Sequence, residues 1–183
     1  MNKKWTAKML TEGGIMIALS ALLNQIPIFQ APDGGSVSAG GMVPIIIFAI
    51  RWGIGPGILV GSLYGLLDFI MKPFFFHPIQ FVLDYPLAYG LLGLAGLGWF
   101  YKQTNREGFY QYFLLIIGIG LGIAGRMLSH VLSGVVFFRE AAGAQNPWLY
   151  SIGYNSTYLV PEFIISVIVL VLIWKPLKQS IKD

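Results

Sequence analysis

Trp148-Leu-Tyr-Ser-Ile-Gly-Tyr-Asn-Ser-Thr-Tyr-Leu-Val-Pro-Glu162 opens the last long apolar run of the chain, yet its own first half is polar and aromatic. On a helix, Tyr150, Tyr154, Tyr158 and Glu162 succeed one another at steps of four and form one slowly drifting stripe, with Ser151 and Asn155 beside it. Such a stripe is costly against lipid and belongs against a protein interior or a cavity. Two readings follow: a ligand-pocket wall, or an interfacial tyrosine belt with ordinary helix-packing groups. Asn155 and Glu162, deeper in the segment, favour the pocket.

Composition sets the class. The 183 residues are 56% hydrophobic and 11% charged, with a mean hydropathy of +0.70; a soluble domain carries roughly 25% charged residues. The chain is therefore read as an all-α integral membrane protein and one six-helix domain over residues 1–183. That length leaves no room for a soluble ATPase domain. Absence of cysteine excludes disulfides and thiolate metal sites. The high isoelectric point, about 9.3, comes from basic residues at the ends of apolar runs and is not a nucleic-acid signal.

A hydrocarbon core needs roughly 20 helical residues to cross it. Six segments are expected, over about 9–26, 38–50, 57–70, 79–101, 110–138 and 148–174. The first, which continues past signal-peptide length to Pro27, is read as a retained helix. With six crossings, Lys3, Lys4, Lys8, Arg51, Lys102, Arg106, Lys175, Lys178 and Lys182 fall on one side, and only Lys72 and Arg139 on the other. That asymmetry places both termini in the cytoplasm. Gly57, Gly61 and Gly65 predict a tight seam with another helix of the chain. Gly14 and Ala18 form a second small pair, suited to internal packing or to a docking face.

Polar groups at membrane depth carry the chemistry. Arg126 and His130 share a helix face. An ion pair of Arg126 with Glu162 or Asp68 is the expected packing role of those three residues. Ser129 and Ser133 are expected to bond back to their own helix. Asp84 and His130 fall at the depth of Tyr150 to Asn155. A carboxylate, an imidazole, an amide and aromatic rings together suit a planar, nitrogen-rich, cationic ligand, because aromatic faces attract cations and Asn reads a heterocycle edge. No His-Glu-x-x-His, Gly-x-Ser-x-Gly or phosphate-loop motif occurs, so no catalytic role and no cofactor or metal is expected.

Five stretches resemble one known family: Gly34-Gly-Ser-Val-Ser38, Pro44-Ile-Ile-Ile-Phe-Ala-Ile-Arg-Trp-Gly53, His77-Pro-Ile-Gln-Phe-Val-Leu-Asp-Tyr85, Ser129-His-Val-Leu-Ser-Gly-Val-Val-Phe-Phe138 and Tyr150-Ser-Ile-Gly-Tyr-Asn-Ser-Thr-Tyr158. In order and spacing they resemble the thiamine-specific substrate-binding (S) component of energy-coupling factor transporters. The resemblance implies a six-helix S-component-like fold in a bacterial plasma membrane, and high-affinity capture of thiamine from outside. It also implies docking to one transmembrane coupling protein and two ATPase subunits, where ATP hydrolysis would occur. By the same resemblance, Asp84 stands at the family's acidic ligand-binding position, followed by Tyr85. His130 and Gly134 line the thiazolium side, and Phe138 takes an aromatic stacking position. Tyr150 and Asn155 match pyrimidine contacts, to which Tyr154 is added. Gly14 and Ala18 match the small-residue motif that meets the coupling protein, and residues 32–38 form a lid. The rivals are an S component for riboflavin or a thiamine precursor, a stand-alone proton-coupled transporter using Asp68, Arg126 and Glu162, and an intramembrane enzyme or assembly factor.

Overall fold

In a computed structural model, the structure describes residues 5–32, 34–103 and 108–182, with the side chains of 98–103 and 180–182 excepted. Of the basic residues counted above, Lys3, Lys4 and Arg106 lie outside the described residues, as do the side chains of Lys102 and Lys182. Helix α1 (Ala7–Asn24) starts at Thr6, whose hydroxyl accepts from the Met9 amide at 3.2 Å, satisfying one of the free N–H groups of the first turn. Pro27 then breaks the run, and the chain forms an antiparallel hairpin of β1 (Pro27–Gln30) and β2 (Ser36–Ser38). Gly34 and Gly40 take positive φ at its tip and just beyond its base, where a side chain would be strained.

The second apolar run differs from expectation. Its first residue, Ser38, belongs to β2, residues 39–42 form a turn, and helix α2 (Val43–Trp52) has only 10 residues, about 15 Å of rise. Ile45, Ile46, Phe48 and Ala49 are fully buried, so α2 sits among the other helices as a core element. Arg51 and Trp52 stay helical because Glu12 of α1 holds both, with its Oε2 2.9 Å from Arg51 Nε and 2.7 Å from Trp52 Nε1. The break narrows to Gly53 (φ 98°). Pro56 falls in the first turn of α3 (Ile54–Met71), where a missing N–H costs nothing.

The fourth segment runs through four local geometries: α4 (Pro78–Val82), a π turn (Leu83–Leu87), α5 (Ala88–Leu91) and a 3-10 stretch (Leu92–Gln103). Pro86 explains the π turn, because it cannot donate to the preceding turn and its ring pushes that turn open. Neighbouring helices bond to carbonyls at this turn: Ser129 Oγ donates to Leu83 O at 2.6 Å and Ser62 Oγ to Pro86 O at 2.9 Å. The glycine seam forms as expected. Cβ atoms on Gly61 and Gly65 would collide with the Tyr89 and Tyr85 carbonyls, and one on Gly57 with Ala49 and Gly93.

Helices α6 (Phe109–Phe137) and α7 (Pro147–Lys182) pack on each other, and α6 also packs on the fourth segment. Among the described residues, four helices are long and apolar enough to cross a membrane: Ile54–Met71, Pro78–Leu97, Phe109–Phe137 and Pro147–Gln179. Their outer faces carry exposed Ile70, Leu128, Leu149 and Leu172, as lipid contact requires. Helix α1 has 18 residues but is not among those four.

Candidate functional site

A cavity of about 590 Å³ opens between the hairpin, the end of α1, α3, the π turn, α6 and α7. Tyr150, Tyr154, Tyr158, Ser151 and Asn155 of α7 form one wall. The rings of Tyr150 and Tyr154 stack with centroids 6.4 Å apart, and Tyr158 meets Tyr154 edge-on at 5.9 Å. Asn155 is held rigidly: its Nδ2 donates to Ser151 O at 2.8 Å, and its Oδ1 accepts from the Tyr158 hydroxyl. Ser151 donates in turn to Val131 O at 3.1 Å. Gly134 lets α6 come this close, since a Cβ there would strike Ser151 Oγ.

The opposite wall centres on Asp84 in the π turn. Its Oδ2 accepts from Gln80 Nε2 at 2.6 Å and from Ser133 Oγ at 2.9 Å, and its Oδ1 lies 3.2 Å from His130 Nδ1. Arg126 Nε donates to His130 Nε2 at 3.2 Å. A guanidinium can only donate, so Nε2 is the acceptor, and the ring proton sits on Nδ1, donating to Asp84. Asp84 thus accepts three bonds and, with about four lone-pair directions available, keeps one for the cavity. The Arg126 guanidinium lies 4.1 Å from the Tyr89 ring centroid, a cation–π contact.

The expected ion pair of Arg126 with Asp68 or Glu162 does not form among the described residues. Asp68 instead accepts from Asn24 Nδ2 at 2.8 Å and from the Tyr89 hydroxyl at 3.0 Å. Glu162 accepts from Ser38 in the hairpin. Ser129 and Ser133 also depart from expectation: both reach across to the fourth segment, because the π turn exposes a carbonyl to one and brings Asp84 to the other.

Asp84, Tyr85, His130, Gly134, Phe138, Tyr150, Tyr154 and Asn155 all line this one cavity. Tyr85 faces it with a hydroxyl occupied by the 72–74 loop, donating to Lys72 O at 3.1 Å and accepting from Phe74 N at 3.0 Å. Phe138 stacks on Phe74 with centroids 5.7 Å apart. Residues 32 and 34–36 cover the cavity, and Gly35 N donates to the Tyr154 hydroxyl at 3.2 Å; Asp33 lies outside the described residues. Gly14 and Ala18 are elsewhere, exposed on α1.

Sequence reasoning missed Asn24, Lys72, Phe74 and Tyr89 as lining residues. Asn24 and Lys72 gave a weak signal, as polar groups at the ends of apolar runs. Tyr89 gave a misleading one. It stands five residues after Asp84, about 140° away on an α-helix, and the extra residue of the π turn carries both to the cavity side.

Long apolar helices around a covered, solute-sized cavity define a small helical membrane protein built to enclose a ligand. The chain belongs to the thiamine transporter protein family (Thia_YuaJ), whose model matches residues 10–182. It is 34% identical to the thiamine transporter ThiT of Bacillus subtilis (strain 168), over all of this chain and 98% of that one. It is 28% identical to the ThiT of Lacticaseibacillus paracasei, over 86% of this chain and 82% of that one. A solved structure of ThiT from Listeria monocytogenes superposes with a TM-score of 0.77 at 28% identity, covering 94% of each chain.

Proposed function

We propose that this chain is the thiamine-binding subunit of an energy-coupling factor importer in a bacterial plasma membrane. It acts as a single domain with cytoplasmic termini and six crossings, α1 adding one to the four long helices and the short, buried α2 making the sixth only together with the hairpin before it. Its relatives' names as thiamine transporters support the ligand. The observation that carries the reading is Asp84, a partly buried carboxylate held by three donors opposite a stacked tyrosine wall. That pairing suits a cationic thiazolium joined to an aminopyrimidine. Each aromatic contact with a cation contributes about 0.5–2 kcal/mol. The Asp84 carboxylate offsets the ligand charge, Asn155 and Tyr150 read the pyrimidine edge, and His130, Gly134 and Phe138 bound the thiazolium. The cavity volume falls within the usual range for small-molecule sites. Gly14 and Ala18 meet a transmembrane coupling protein, and two ATPase subunits on that partner supply the energy. This chain binds and reorients, and performs no chemistry.

The test is intrinsic fluorescence of the detergent-solubilised protein titrated with thiamine, with riboflavin and biotin as controls. Five of the nine tyrosines, Tyr85, Tyr89, Tyr150, Tyr154 and Tyr158, line the cavity and report on it. Saturable quenching by sub-micromolar thiamine alone is the expected result. A folded protein that responds to riboflavin instead, or to none of the three by fluorescence and calorimetry, overturns the ligand assignment.

A further inference from the structure

The hairpin over the cavity is attached to α7 at two points of different character. At its tip, Gly35 N donates to the Tyr154 hydroxyl at 3.2 Å. Tyr154 lines the cavity, so an entering ligand meets this attachment directly. At its base, Glu162 Oε1 accepts from both Ser38 N at 2.5 Å and Ser38 Oγ at 2.7 Å. Neither Ser38 nor Glu162 lines the cavity. Both are almost completely buried, at 1% and 3% exposure, so this attachment is out of reach of ligand and solvent.

Ser38 is also where the base of the hairpin closes. It pairs with Pro27 of β1, Ala39 N donates to Ile26 O at 3.3 Å, and Gly41 N donates to Ser38 Oγ at 2.9 Å. Beyond it, Gly40 takes φ 90°, and Gly41 fits so closely against Ser38 and Asn24 that a Cβ would collide. One side chain of α7 therefore fixes both strands and the entry to α2. Glu162 Oε2 has no hydrogen-bond partner among the described residues. A carboxylate is costly to bury half-satisfied, which points to a purpose other than packing.

We propose that Glu162 is the positioning residue of the lid. Its bonds to Ser38 hold the hairpin base as a pivot while the Gly35–Tyr154 contact opens and closes, so Glu162 sets how long a ligand stays enclosed. The ligand's identity rests on the thiamine reading; the pivot does not. Two substitutions separate this role from general stability. Glu162→Gln retains the acceptor oxygen, and Glu162→Ala removes it.

The experiment uses the full-length protein in nanodiscs. Amide hydrogen exchange at Ser38 without ligand is expected to be protected in the wild type and in Glu162→Gln, and at least about tenfold faster in Glu162→Ala, as befits loss of two hydrogen bonds. Thiamine dissociation followed by stopped-flow fluorescence is expected to accelerate at least about tenfold in Glu162→Ala, with association changed far less and the Gln variant close to wild type. Global destabilisation would lower the folded fraction without this split between rates. If Glu162→Ala does not fold, Ser38→Ala, which removes the hydroxyl's bonds to Glu162 and Gly41 N but keeps the Ser38 N–H bond to Glu162, is expected to shift both readouts in the same direction by a smaller factor. Wild-type exchange at Ser38 in the Ala variants, or equal acceleration by Ala and Gln at Glu162, overturns the proposal. Failure of the wild type to bind thiamine overturns the ligand assignment, while the exchange result still decides the pivot.

Discussion

Asp84 accepts from Gln80, Ser133 and His130 at once, and the donors are themselves fixed: Gln80 Oε1 accepts from Phe76 N at 3.0 Å, and His130 is oriented by Arg126. The carboxylate is therefore held in place before any ligand arrives, which spares the cost of ordering it on binding. Asp84→Asn replaces an acceptor oxygen with an NH2 group facing other donors and removes the negative charge. Thiamine affinity is expected to fall at least about thirtyfold, or about 2 kcal/mol, by calorimetry on a variant that retains its melting profile within a few degrees. Unchanged affinity would remove Asp84 from the site. His130→Ala is expected to weaken binding less, because Gln80 and Ser133 still hold the carboxylate. Of the eight expected residues that line the cavity, Asp84, His130, Tyr150, Tyr154 and Asn155 were legible because polar groups at membrane depth are rare, whereas Tyr85, Gly134 and Phe138 came only from the family resemblance. The tetrad Asn24–Asp68–Tyr89–Arg126 was not, since its members sit on four different segments and only the assembled fold makes Tyr89, not a carboxylate, the neighbour of Arg126.

Element geometry explains the remaining differences between sequence and structure. The glycine seam was legible because three glycines at steps of four on one apolar run have one plain physical use, close approach of backbones. The hairpin was not, since Pro27–Gln30 lacks an apolar face of its own and all four residues are exposed. The second segment was legible as short, since 38–50 falls below the roughly 20 residues of a crossing, but its buried place was not, because the apolar run 43–50 reads the same for a buried helix as for a spanning one. Two substitutions test these elements. Gly61→Leu drives a side chain into the Tyr89 carbonyl; the expected cost of at least about 1–3 kcal/mol would appear as a lowered melting temperature and reduced yield of folded protein. Pro86→Ala restores an N–H in the middle of the fourth segment and allows the π turn to relax toward an α-helix. That relaxation rotates Asp84 and Tyr89 apart, so thiamine affinity is expected to fall while thermal stability holds or rises. Wild-type affinity in Pro86→Ala would show that Pro86 does not maintain the turn.

At the scale of the whole molecule, α1 connects two surfaces. Its C-terminal residue, Asn24, lines the cavity, and the Lys72 ammonium caps the Asn24 carbonyl at 2.7 Å. Its outward face carries Leu10, Gly14, Ala18 and Leu22 at steps of four, all exposed. Folding explains the small residues at Gly57, Gly61 and Gly65, whose added Cβ atoms would collide within the chain. It does not explain Gly14, where a Cβ would meet nothing within 4 Å. On the proposed docking role, smallness there would serve a contact outside this chain, in a bilayer another helix approaching closely. Ala18→Trp places a large ring on that face without touching the cavity. Thiamine binding to the purified variant is expected to match wild type, while uptake by cells that hold the coupling protein and ATPases is expected to fall to background. Normal uptake would move the docking face elsewhere on the molecule. Loss of both binding and uptake would show that α1 packs inward at this position, and that the exposed stripe belongs to the fold and not to a partner.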